Sequence, residues 1–324
     1  MRSLIPMKSY TLIAPAKINL HLEILGIRAD NYHELVMIMQ TVDLADRVEV
    51  KSHSTDEIII HCGHPSVPTD STNLAYRAAE LIQQEFPAAF TKYGGVEITL
   101  HKHIPVAAGL AGGSGNAAAV LVGLDLLWEL GLTQPDLQEL GARLGSDVPF
   151  CISGGTALAT GRGESITSLP SLEGIYVVLG KYRSLEVSTP WAYNTYRGQF
   201  EAEYEQHPEN FSTRAHRIHS GSLVQAIVAQ DPVKIGGLLY NDLEKVVLPA
   251  YPLVSQLRDE FERHSSLGTM MSGSGPTVFS LTDSLAQAEA IYRQVRSNIT
   301  DPDLELFVTK FCDRGVKEVM SYEL

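Results

Sequence analysis

Between His103 and Asn116 the chain reads Ile-Pro-Val-Ala-Ala-Gly-Leu-Ala-Gly-Gly-Ser-Gly, and nearly every side chain there is small enough to let a ligand touch the backbone. Gly109, Gly112, Gly113 and Gly115 can take the positive φ angles that turn successive N–H groups inward, which makes a nest for an anion. A helix beginning directly after such a loop adds its positive N-terminal end. The favoured chemistry is phosphate binding, although a tight turn feeding a buried helix has the same composition. The stretch is no Walker loop, since no Gly-Lys-Ser/Thr ends it, and its glycine spacing differs from the dinucleotide fingerprint. A second small-residue turn, Met271-Ser272-Gly273-Ser274-Gly275-Pro276, taken alone is no more than a bland loop before a strand.

Phosphoryl transfer asks a protein mainly for positioning and charge stabilisation, with a carboxylate commonly accepting the hydroxyl proton. Asp147 is the candidate base. An Asp directly before Val-Pro-Phe is also an ideal helix N-cap, with proline tolerated in the first turn, and on sequence alone the cap is the preferred reading. Lys17 would hold such a carboxylate ionised and stabilise the incoming oxygen; the bland reading is a solvated lysine on a strand. Tyr32 and His33 flank a turn and, without further context, are exposed rings.

Periodicity identifies the elements that must position these groups. From Lys17 to Leu25, Ile18, Leu20, Leu22 and Ile24 alternate with Lys17, Asn19, His21 and Glu23, which predicts a strand with one core face and one polar face. Lys17 and Asn19 then point to the same side. Ala29-Asp30-Asn31 reads as the following turn. Residues 47–51, 57–62 and 95–101 repeat the strand pattern, and 73–86 reads as a helix that Pro87 ends. Residues 116–130 are apolar on nearly all sides, so that helix should be buried, with Gly131 as its stop. Thr133 and Asp136 suggest a capping box for the next helix. Further on, 176–179, 277–281 and 305–312 read as strands, and 222–240, 253–264 and 284–297 as helices. Residues 197–221, charged and without periodicity, read as a surface insertion.

The chain of 324 residues is about twice the commonest domain size, so two domains are expected. Strands and helices interleave in both halves and no internal repeat is evident, which predicts two α+β domains, residues 1–170 and 171–324. A net charge of −13 argues against a nucleic-acid or anionic-membrane partner. No apolar run approaches the roughly 18 residues that span a bilayer. Met1 to Ser9 carry neither a transit peptide nor a secretion signal, so cytoplasm is the expected location. Cys62, Cys151 and Cys312 are odd in number and far apart, against a disulfide framework. His61-Cys62-Gly63-His64 fits no standard zinc spacing, and no metal site is expected there.

Together these stretches resemble the GHMP kinases, which have an N-terminal strand motif, a Pro-x3-Gly-Leu-x-Gly-Gly-Ser loop and a late glycine-rich turn in this order. More narrowly, Pro15-Ala-Lys17-Ile-Asn19-Leu, the Tyr32-His33-Glu34-Leu35 string, Leu144-Gly-Ser-Asp147-Val-Pro-Phe and Asn241-Asp242-Leu-Glu244 are similar to the branch that acts on a cytidine diphosphate-linked methylerythritol. The resemblance spans nearly the whole chain and lifts Lys17 and Asp147 above their bland readings. It implies a ribosomal-protein-S5-like N-terminal ATP domain and a ferredoxin-like C-terminal domain. It also implies ATP as co-substrate, Mg2+ with the nucleotide, and phosphorylation of the 2-hydroxyl of the methylerythritol unit, in the non-mevalonate route to isoprenoid precursors.

By position, the resemblance makes Asp147 the general base, Lys17 its charged partner and Asn19 a guide for the acceptor hydroxyl. Tyr32 and His33 should meet the cytidine, with an aromatic between Ser188 and Tyr193, taken as Tyr193, stacking on the base. Pro105, Val106, Ala107, Ala108, Gly109, Leu110, Ala111, Gly112, Gly113, Ser114 and Gly115 should wrap the ATP phosphates, with Lys102 assisting. Ala107 and Ala108 stand where many members carry glycine; a methyl group fits there if φ is negative. Gly115 replaces a common second serine, leaving Ser114 as the serine able to reach magnesium. Segment 197–221 has no counterpart in the pattern, and its His207, His216 and His219 read as polar surface. Two other functions compete. A GHMP kinase for a mevalonate-type acid or homoserine would have no use for Tyr32-His33, and a silent nucleotide sensor none for Lys17 and Asp147.

Overall fold

The computed structural model describes residues 8–205 and 207–319. The N-terminal half contains β1 (Ser9–Ile27), β2 (His33–His53), β3 (Ile58–Cys62), α1 (Leu74–Glu85), α2 (Pro87–Tyr93) and β4 (Gly95–His101). It continues through α3 (Gly112–Trp128), α4 (Gln134–Leu144), α5 (Val148–Ser153), β5 (Thr156–Gly161) and β6 (Ser165–Leu169). β1 and β2 form a long antiparallel pair from Ser9↔Lys51 to Ile27↔His33. Their connection is the turn expected at Ala29-Asp30-Asn31, where Asn31 takes φ 64°, a left-handed conformation that Asn tolerates better than most residues. That turn puts Tyr32 and His33 at the head of β2.

After β6 the chain builds β7 (Tyr176–Tyr182), α6 (Thr189–Phe200), α7 (Phe211–His219), α8 (Ser222–Val228), α9 (Pro232–Gly237), β8 (Tyr240–Asn241) and α10 (Glu244–Ala250). Then come α11 (Pro252–Glu262), β9 (Gly268–Met271), β10 (Val278–Thr282), α12 (Leu285–Asn298), β11 (Leu304–Lys310) and β12 (Lys317–Glu318). One sheet runs β12-β1-β2-β4-β3, with β5 also on β2, β6 on β5 and β8 parallel to β1. The other runs β11-β7-β10-β9, and all its pairings are antiparallel. The α+β architecture in two parts is the one expected.

Several local expectations change. The polar side of β1 is not exposed through its middle: residues 14–20 are all buried, and Lys17 and Asn19 share that side, bonded to each other. The helix expected at 116–130 starts at Gly112, so the loop's last glycines are its first turn. It is buried as its apolar periphery demands, and it ends with Glu129 and Gly131 both at positive φ. Pro87 stops α1 and also opens α2, where its missing N–H costs nothing. The helix expected over 222–240 breaks at Asp231, whose side chain caps α9 by accepting from Lys234 N. The capping box of Thr133 and Asp136 forms as read.

Segment 197–221 is not a mere surface insertion. It carries the end of α6 and all of α7, with Tyr204 and Phe211 buried. Arg214 pairs with Glu23 of β1 at 2.5 Å. The absence of period in its sequence reflects short helices separated by turns, each burying only one or two rings. His207 and His219 are exposed, as expected, while the side chain of His216 lies outside the described residues.

Candidate active site

One cavity of about 740 Å³, within the usual range for small-molecule sites, gathers Lys17, Asn19, Tyr32, His33, Lys102, Asp147 and Tyr193 with the loop from Pro105 to Ser114. Of the residues expected in the site, Gly115 alone is outside its wall. It is buried in α3 with its N–H donated to Ala111 O at 2.8 Å, and a Cβ there would lie 3.6 Å from Ala14. That is an ordinary contact distance, so the packing against β1 does not itself require glycine at this position.

β1 delivers Lys17 to the cavity floor. Its N–H donates to Leu110 O at 3.1 Å, tying strand to loop, and its ammonium donates to Asn19 Oδ1 at 2.7 Å. Asp147 Oδ2 lies 3.5 Å from that ammonium, with the lysine side chain 6% and the aspartate 28% exposed. The preferred cap reading of Asp147 does not hold. It occupies the N-cap position of α5 but makes no side-chain cap hydrogen bond; its carboxylate is turned towards Lys17 instead. A basic oxygen beside a buried ammonium, at a cavity wall still reached by water, is an arrangement suited to taking a proton from an alcohol.

The loop itself is more strained than expected. Ala107 has φ 51° and Ala111 φ 57°, so the condition of negative φ fails at Ala107, and two alanines occupy a region that costs an L-residue roughly 1–2 kcal/mol. Gly109, at φ 73°, could not be replaced cheaply: a Cβ would meet Ser272 O at 2.4 Å. Ala111 precedes α3 without any side-chain cap, and the first amides of a helix have no intrahelical acceptor. An anion is the natural partner for them. Ser114 lines the same wall.

Beneath the loop, Lys102 is committed to the protein. Its ammonium pairs with the fully buried Asp46 and donates to Asn116 Oδ1 at 2.9 Å. Asp46 also accepts from the N–H groups of His103 at 2.7 Å and Ile104 at 2.9 Å. Lys102 therefore shapes the loop's first residues, a supporting part that the sequence did not suggest.

At the other end, the face of Tyr32 is covered by the Arg162 guanidinium, 5.0 Å from the ring centroid, while the residue as a whole is 57% exposed. His33 is half-buried, with its ring 5.1 Å from Tyr193. Burial and the nearby Arg197 charge pull the imidazole down to about 4, so it is neutral near pH 7. Burial pushes the Tyr193 phenol far above its ordinary range. Trp191, the other aromatic of that stretch, stands edge-on to Tyr251 and is not in the cavity wall.

Sequence reasoning missed the groups that hold this end together. Gly273 and Ser274 of the second glycine turn belong to the wall. Asn241 Nδ2 donates to Met271 O and Gly273 O, both at 2.8 Å. Asp242 Oδ2 accepts from Ile24 N at 2.8 Å, and Glu244 Oε1 accepts from Met271 N at 2.8 Å. The Asn241-Asp242-Leu-Glu244 string entered the sequence analysis only as part of the resemblance, with no role given to its residues. Arg162, in a Gly-Arg-Gly turn, gave no signal. Among the described residues no cluster of three His, Cys, Asp or Glu side chains could hold a metal ion.

Comparison with known proteins agrees with this geometry. Residues 73–155 match the family model for the GHMP kinases N terminal domain, and residues 223–301 that for GHMP kinases C terminal. A curated relative from Nostoc punctiforme, named 4-diphosphocytidyl-2-C-methyl-D-erythritol kinase, is 64% identical over 97% of this chain and 100% of its own length. A crystal structure of 4-(cytidine 5'-diphospho)-2C-methyl-D-erythritol kinase is similar with a TM-score of 0.69 and 30% identity, covering 93% of this chain and 98% of that one. The homoserine kinase from Cytophaga hutchinsonii has a TM-score of 0.73 over 98% of this chain and 99% of its own, at 20% identity, a likeness of fold alone.

Proposed function

The chain belongs to the GHMP kinases, in their 4-diphosphocytidyl-2-C-methyl-D-erythritol kinase branch, and on that premise we propose how it phosphorylates the 2-hydroxyl of that acceptor from ATP, in the non-mevalonate route. The observation that carries the assignment of roles is the position of the Lys17–Asp147 pair, in one cavity with the glycine loop and the Tyr32, His33 and Tyr193 rings. The acceptor's base lies among those rings and its alcohol points at Asp147. Asp147 takes the hydroxyl proton, and the Lys17 ammonium beside it steadies the developing alkoxide. Asn19, bonded to the same ammonium, orients the alcohol. The loop amides and the start of α3 hold the transferring phosphate, where positioning and charge stabilisation supply most of the rate.

Mg2+ arrives with the nucleotide as part of the substrate, and the wall fits that role. It offers the Ser114 hydroxyl rather than a dedicated cage, as expected of an ion held mainly by phosphates and water. The enzyme works in the cytoplasm, a location in keeping with described residues that include no helix long and apolar enough to cross a membrane. The test is a comparison of acceptors at saturating ATP. The cytidylated alcohol should be turned over efficiently, and methylerythritol phosphate, mevalonate and homoserine poorly. Equal kcat/KM for the truncated alcohol would remove the cytidine from the assignment and leave a kinase of another acceptor.

A further inference from the structure

Tyr204 is outside the cavity wall, in the segment for which the sequence offered no role, yet its hydroxyl is 3.1 Å from His33 Nε2. The ring is buried, stands edge-on to the imidazole at 88° and stacks on Tyr196. Its stretch of chain is fixed to β1 at three places. Glu205 N donates to Leu25 O at 2.9 Å, Arg214 Nε donates to Glu23 Oε1 at 2.9 Å, and Phe211 fills the space left by Gly26, where a Cβ would come within 2.8 Å. His33 is thus packed against Tyr193 while a phenol from a rigid neighbour engages one of its two nitrogens.

In a neutral imidazole, one ring nitrogen donates and the other accepts, and the bond made by one sets the role of the other. With Nε2 engaged, Nδ1 is the nitrogen left for a ligand. We propose that Tyr204 is a positioning residue, which holds the His33 ring in one orientation and so leaves Nδ1 to read the hydrogen-bonding edge of the acceptor's pyrimidine. The inference rests on the cytidine reading above. It gives segment 197–221 a part in acceptor selectivity through a residue that never touches the acceptor.

Tyr204→Phe keeps the ring and its packing and removes only the hydroxyl. One such hydrogen bond corresponds to about a fivefold change in affinity. The KM for the cytidylated acceptor should rise by that factor, with kcat, the KM for ATP and the melting temperature unchanged. His33→Gln should lose more, and adding Tyr204→Phe to it should change nothing further. An unchanged acceptor KM in Tyr204→Phe overturns the inference, and so does a loss that adds fully to that of His33→Gln. A rise in both KM values together with lower melting would show that the tyrosine only supports the fold. A wild-type enzyme that phosphorylates methylerythritol phosphate as well as the cytidylated alcohol would overturn the cytidine reading itself, a failure visible before any variant is made.

Discussion

At the scale of single residues, the informative position is Asp147, where a cap and a base compete for one carboxylate. The side chain makes no cap bond, so Asp147→Asn loses no cap, and its partial exposure lets water replace the lost charge beside Lys17. The expected result is a kcat lower by about 100- to 10,000-fold, the usual weight of general-base catalysis, with melting close to wild type. Turnover near wild type would return Asp147 to a structural part. His33 makes a second prediction, through pH. Its imidazole is neutral in the folded protein down to about 4, whereas the unfolded chain protonates near 6.5. The unfolded state binds the extra proton between those values, so stability falls as pH drops from about 6.5 to 4. Urea unfolding of wild type and His33→Gln across that window should show a shallower decline in the variant; parallel curves would mean that His33 does not contribute.

At the scale of elements, the site is a meeting of two glycine turns, each held by a polar side chain from elsewhere. The phosphate loop leans on the buried Asp46 with Lys102 and Asn116. The second turn hangs from Asn241, which satisfies two of its carbonyls. That turn carries Gly273, where a Cβ would lie 3.4 Å from Asn19 Oδ1 and 3.5 Å from Lys17 Nζ. Asn241→Ala leaves the two carbonyls without their donor, and each orphaned buried group costs about 1–3 kcal/mol. For the two carbonyls together we expect stability lower by about 2–6 kcal/mol and a reduced kcat, because the turn that confines Lys17 loosens. A variant with normal melting and normal kcat would show that the turn holds its shape unaided.

At the scale of the molecule, we propose residues 1–170 and 171–324 as two lobes, supported by the change of sheet between β6 and β7. They are not independent. β8 and β12 return to the first sheet and pair with β1. One core joins Leu22, Met37 and Ala159 to Val178, Leu257 and Met271, and another joins Ile18 and Val36 to Ile235 and Phe279. The chain should therefore unfold in one calorimetric transition, and a fragment of residues 1–170 should not melt cooperatively. Two resolved transitions would mean that the shared cores count for little.

The local chemistry of this protein was determined by its sequence. The small residues of 105–115, the alternation around Lys17 and the Thr133 cap depend on conformations and periods that a short stretch sets for itself. For the same reason the strands were legible, and so was the apolar helix after the loop. What the tertiary structure decided was partnership. Whether Asp147 caps or faces Lys17 depends on where α5 sits against β1, and the commitment of Lys102 depends on Asp46, far away in the chain. The engagement of His33 by Tyr204 joins residues separated by most of the first lobe. Such contacts have no local signature, because they arise only when the cores of the two halves close on each other and bring distant side chains within a hydrogen bond.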